Sequence, residues 1–173
     1  MTPAGSVEVR GLLPAALPAA ERVKLAWQYR PCAELAGDGL NVFWLDEDHV
    51  GLNVLDVSGH GAAAALLSVS LARLLAPTCG ESMLLRTPRA HQPCRRFAPP
   101  AEAARRLNDW FLANPTAGQF LTLVYGILNV WTHRFSYASA GHPGPRLVRG
   151  GDVLVCRPGR RSAFWVKVSI KVL

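Results

Sequence analysis

A chain of 173 residues suits a single domain, and with half its residues hydrophobic and 18% charged it can build a core, which excludes wholesale disorder. No apolar run reaches the ~20 residues of a membrane-spanning helix, and the N-terminus lacks the basic-then-apolar order of a secretory signal. The formal charge of +7 is uneven, five Lys/Arg against nine Asp/Glu up to Leu85 and fourteen against three beyond it.

Residues 1–22 are rich in Ala and Pro with little periodicity and read as a linker or lead-in, with the domain proper over 23–173. From Val23 to Arg30 apolar and polar residues alternate, which predicts a half-buried strand. Leu40–Leu45 and Val50–Val57 are two further strand-like runs around the acidic turn Asp46–His49, a hairpin pattern. A helix is expected from Gly61, with Leu66, Leu67, Leu71, Leu74 and Leu75 as its apolar stripe and Pro77 and Gly80 as its stop. Residues 76–99, with their prolines and arginines, read as a long surface loop. Pro99-Pro100 opens a second helix with Glu102 in its first turn, where the helix dipole favours an acid. Phe120–Leu128 and Phe135–Ala140 are strands joined by a turn, and Arg146–Val148 and Val153–Cys156 flank the turn at Gly150-Gly151. Tight turns imply antiparallel neighbours, and helices clustered between strand groups point to an α+β layer architecture.

Two segments carry candidate chemistry. In the first, Gly37-Asp38-Gly39 precedes a strand; in the second, Asp56 ends an apolar strand and Ser58-Gly59-His60-Gly61 leads into a helix. Carboxylates at strand ends beside backbone freed by glycine are ligands suited to a hard cation such as Mg²⁺ or Mn²⁺. Two of them brought together repel unless a cation or a proton intervenes. Asp-Gly is also ordinary turn chemistry, and Asp-x-Ser before a helix is an ordinary cap. His60 reads equally as a proton donor, a phosphate contact or a packed turn residue. The turn Gly141-His142-Pro143-Gly144 can hold backbone near a cleft or simply end a strand. Arg10 and Arg30 are candidate phosphate contacts by charge alone. There is no GxSxG, P-loop or GxGxxG. The four cysteines (Cys32, Cys79, Cys94, Cys156) have neither a CxxC pair nor zinc spacing, and read as reduced thiols of a cytoplasmic protein. The arginines of the basic half are scattered or in pairs without a long block, a weak case for nucleic acid.

The stretches LLPAALP, RPCAELAGDGLNVFWLD, VGLNVLDVSGHGAAAALLSVSLARLL, PPAEAARRLN, QFLTLVYGILNV and FSYASAGHPGPRLV, in this order, resemble the SpoIIE/RsbU-like branch of the PPM metal-dependent serine/threonine phosphatases. The resemblance covers roughly Arg10 to Arg149, and DVSGHG together with AGHPGP is its most specific part. It implies an α-β-β-α sandwich of antiparallel sheets flanked by helices. It also implies hydrolysis of phosphoserine or phosphothreonine by a metal-activated water, with two Mn²⁺ or Mg²⁺ ions. Carried over, Asp38 serves the first metal, Asp56 bridges both, the carbonyl of Val57 completes the first site, and His60 is the acid for the leaving oxygen. The implied partner is a phosphorylated signalling protein such as an anti-sigma-factor antagonist, with no membrane involved.

The chain departs from the family pattern in three places. Asn41 stands where a second acid is common, no Asp-Gly follows the His142 turn, and the later second carboxylate has no match, Asp152 being the only acid after Asp109. The expectation is therefore a C-terminally truncated domain with an incomplete second metal site and weak or no activity. The alternatives are a non-catalytic pseudophosphatase and, less favoured, a basic nucleic-acid-binding module. Phe164, Trp165, Val166, Val168, Ile170 and Val172 make an apolar, partly alternating tail, read as a substitute strand or an aggregation-prone edge.

Overall fold

The computed structural model describes residues 16–19, 22–28, 37–77, 84–85, 97–114 and 118–156. Its centre is a four-stranded antiparallel sheet in the order β1 (Gly39–Trp44), β2 (His49–Val57), β3 (Leu121–Asn129), β4 (Phe135–Ala140). Helix α1 (Ala62–Leu74) packs on β1 and β2, and helix α2 (Pro100–Ala113) on β3 and β4. A separate hairpin, β5 (Arg146–Arg149) and β6 (Asp152–Val155), forms a second antiparallel sheet.

Side-chain alternation divides the central sheet into two faces. Odd-numbered residues of β1 to β3 (Phe43, Leu55, Val57, Leu123, Tyr125) join Leu71, Leu75, Ala103 and Leu107 of the helical side in one core. Even-numbered residues (Val42, Trp44, Val50, Leu52, Leu128) join Phe135 and Tyr137 in a second core, covered in part by Val23, Leu25, Leu147 and Cys156. Because odd and even positions of β2 and β3 are both largely apolar, the sheet carries apolar residues on both faces. The outer helical layer of the expected sandwich is not among the described residues; two antiparallel sheets and two helices are.

The three hairpins and the proline-led helix form as the sequence predicts. Asp46 closes the β1–β2 turn by accepting hydrogen bonds from the main-chain N–H of Asp48 (2.9 Å) and His49 (2.8 Å), so this acid serves the turn. In α2, Pro100 is at the N-terminus and Glu102 pairs with Arg105 (2.8 Å) and Arg106 (2.9 Å). Arg105 also pairs with Asp109 (2.6 Å), so two acids of the helix balance this arginine pair of the basic half.

Three expectations need correction. The alternating run from Val23 is not a strand: Val23 makes a single bridge and residues 24–28 have no regular structure. Alternation records only that Val23 and Leu25 face the core, and a strand also needs a partner for its backbone. In α1 the buried positions are Ala64, Ser68 and Leu71, continued by Leu75, while Leu66 is 66% exposed. Leu66 lies about 200° around the helix from Ala64, which puts it on the opposite side. The 76–99 segment is not all surface, because Leu84 and Leu85 are buried in the helix-side core and the Leu85 carbonyl accepts the Ala98 N–H at 2.8 Å. Arg10, Arg30, Cys32, Cys79, Cys94 and the tail from Phe164 to Val172 lie outside the described residues; Cys156 is a free thiol.

Candidate active site at the end of the central sheet

The β1–β2 register pairs Gly39 with Leu55, and the Val57 N–H donates to the Gly37 carbonyl at 3.3 Å, so the ladder runs past the end of β1. Asp38 then stands opposite Asp56. Because Gly37 and Val57 are a hydrogen-bonded pair, Asp38 and Asp56 are a non-bonded pair, the closer kind, with β-carbons ~4.5–5.5 Å apart. Across β2–β3, Asp56 faces Thr122. Asp38, Asp56 and Thr122 thus form one row across three strands, on the even-numbered face at its open end.

The electrostatics agree with that geometry. Partial burial, then the negative charge of Asp56, push the Asp38 carboxyl above its ordinary value, while His142 pulls it down. His142 is held beside the row: its Nδ1 is hydrogen-bonded to Thr122 Oγ1 at 2.8 Å, and its carbonyl accepts the Ser139 hydroxyl at 2.6 Å. Gly141, at φ +68°, makes the turn that brings the imidazole there, a conformation that penalises other residues. The spacing of residues gave His142 no assigned role, and what brings it to the site is the β3–β4 register. The available signal was the rigid Gly-His-Pro turn at a strand end.

Val57 directs its side chain into the helix-side core, and its carbonyl lies against Gly37, where a β-carbon would stand 2.5 Å from the oxygen. His60 sits on the exposed turn between Gly59 and Gly61, both at positive φ. Asn41, where the second acid was expected, is opposite Asn53 on the other face of the sheet, so it points away from the carboxylate row. Just outside the row, the Ser58 N–H donates to the Phe120 carbonyl and the Phe120 N–H donates to Ser58 Oγ, both at 2.8 Å.

Two opposed carboxylates and a backbone carbonyl are hard oxygen donors, a set that fits a cation which keeps several of its waters. Among the described residues no group of three or more His, Cys, Asp or Glu side chains comes together as a metal cage. No helix of the described residues is long and apolar enough to cross a membrane.

The comparisons agree with this architecture. Residues 46–162 match the family model described as Stage II sporulation protein E (SpoIIE). The match takes in Asp56, Val57, His60, Phe120, Thr122 and His142; Asp38 precedes it and is placed by the register. Phosphoserine phosphatase RsbP of Bacillus subtilis (strain 168) is 28% identical over 123 residues, 71% of this chain and 28% of that protein. Phosphoserine phosphatase RsbU of the same organism is 30% identical over 115 residues, 66% of this chain and 30% of that protein. The chain therefore spans less than a third of the length of these relatives. The crystal structure of the RsbU and RsbW domains of Rv1364c from Mycobacterium tuberculosis shares the fold, with a TM-score of 0.52 and 23% identity over 84% of this chain and 33% of that one. The chain belongs to the SpoIIE family.

Proposed function

We propose that the chain carries a metal-dependent phosphatase domain, over residues 23–173 with 1–22 as lead-in, that hydrolyses phosphoserine or phosphothreonine on a protein. The observation that carries this reading is the opposition of Asp38 and Asp56 across the β1–β2 ladder. Like charges at that separation are unfavourable by themselves and favourable around a divalent cation. The carboxylates of Asp38 and Asp56 and the carbonyl of Val57 would hold Mn²⁺ or Mg²⁺. Such ions neutralise charge on phosphoryl oxygens and lower the pKa of water, the chemistry that phosphate-ester hydrolysis needs.

The chain's own groups then have distinct tasks. Thr122 engages Nδ1 of His142 and leaves Nε2 to meet a phosphoryl oxygen. His60, on its exposed turn, donates a proton to the serine or threonine oxygen as the P–O bond breaks. Water supplies the new oxygen on phosphorus, and the products are the free hydroxyl side chain and inorganic phosphate.

The substrate is a phosphorylated signalling protein such as an anti-sigma-factor antagonist. The names of RsbP and RsbU as phosphoserine phosphatases support this, as does a structure that holds RsbU and RsbW domains together. The test is hydrolysis of p-nitrophenyl phosphate with Mn²⁺ added. Wild type turning over faster than Asp56→Ala supports the reading, and equal rates overturn it in favour of a non-catalytic binding protein.

A further inference from the structure

Phe120 is 65% exposed, and its main chain is fixed at the end of the sheet. Its main chain exchanges two hydrogen bonds with Ser58, which carries the β2–β3 ladder one residue beyond Val57 and Leu121. Ser58 Oγ takes the place of the carbonyl that a regular ladder would use, and Gln119 Nε2 adds a bond to the Ser58 carbonyl at 3.4 Å. Strand alternation carries Phe120 to the even-numbered face, beside Thr122 and diagonal to Asp56. Diagonal neighbours of this kind lie ~7–8 Å apart. An extended peptide advances ~3.3 Å per residue and sends alternate side chains to the same side. A phosphorylated residue reaching toward Asp56 therefore brings the side chain two positions away over Phe120.

Resting on the phosphatase reading above, we propose that Phe120 is a specificity-determining contact that selects substrates with a large apolar side chain two positions from the phosphorylated residue. The contact removes apolar surface of both partners from water at a place where the Phe120 main chain is already held by Ser58. Because Ser58 holds Phe120 through its main chain, replacing the side chain leaves those bonds in place.

The experiment compares two fluorescein-labelled phosphoserine peptides, one with leucine and one with glycine at both positions two residues from the phosphoserine. Binding is read by anisotropy for wild type, Phe120→Ala and Phe120→Leu, with thermal melts confirming that the variants fold. Wild type is expected to prefer the leucine peptide by about tenfold, Phe120→Ala by less than about twofold, and Phe120→Leu by an intermediate ratio. Equal binding of both peptides by wild type, or an undiminished preference in Phe120→Ala, overturns the proposal. Mn²⁺-dependent p-nitrophenyl phosphate hydrolysis by wild type is measured in parallel. Its absence defeats the phosphatase reading, while its presence with no leucine preference defeats the Phe120 proposal alone.

Discussion

Gly37 lies so close to Val57 that any β-carbon on it would stand 2.5 Å from the Val57 carbonyl oxygen and 2.9 Å from the Val57 β-carbon. Neither neighbour can yield easily, since one is backbone in the β-ladder and the other belongs to the helix-side core. Gly37→Ala is expected to destabilise the fold by about 1–3 kcal/mol, as overpacking does. It is also expected to weaken Mn²⁺ uptake, because the displaced carbonyl is a proposed ligand. Thermal melts and titration calorimetry read the two effects separately.

Removal of either carboxylate tests the cation. Asp38→Ala and Asp56→Ala should each lower Mn²⁺ affinity by at least about tenfold, since so few protein oxygens are available. Calorimetry that finds wild-type uptake in both variants rules out the proposed ligand set.

Stability against pH has two parts of opposite sign. The Asp38 carboxyl has its folded value raised, so its contribution is fully present below the ordinary carboxylate range and is lost as pH rises through the raised value. Without metal, Asp38→Asn should therefore melt higher than wild type at neutral pH, with the gap closing in acid. Hydrogen bonds from Arg105 and Arg106 lower Glu102 to about 2, so its contribution is present above its unfolded value of 4.5 and is lost as pH falls through about 2. Glu102→Gln should melt lower near neutrality and match wild type in strong acid. Melting curves from pH 2 to 8 decide both.

The hydroxyl of Tyr125 is buried among the described residues without a hydrogen-bond partner, and burial pushes its pKa well up. Tyr125→Phe removes a desolvated polar group at nearly constant shape and is expected to stabilise the fold, by up to about 1 kcal/mol. A lower melting temperature would contradict this.

Leu71 of α1 is fully buried against the sheet. Leu71→Ala should cost about 2–5 kcal/mol, whereas Leu66→Ala, on the exposed side, should change stability by less than about 0.5 kcal/mol. Denaturant titration of both variants checks which side of the helix is the core.

The order of the strands from Gly39 onward and of the helices, the three hairpins and the start of α2 were legible from the chain alone, and Asp38 and Asp56 stood out there as candidates. Each depends on neighbours in sequence: apolar runs, turn residues and a proline at a helix start. Tertiary structure decided what depends on register and on orientation. It showed that Val23 covers a core without joining a strand, that Leu84 and Leu85 are core inside an apparent loop, and that Leu66 faces solvent. It set Asp38 opposite Asp56, turned Asn41 to the other face, and brought His142 and Phe120 to the same end of the sheet. The physical reason is that a pleated strand assigns its side chains to two faces, and only pairing with other strands determines which distant residues share one.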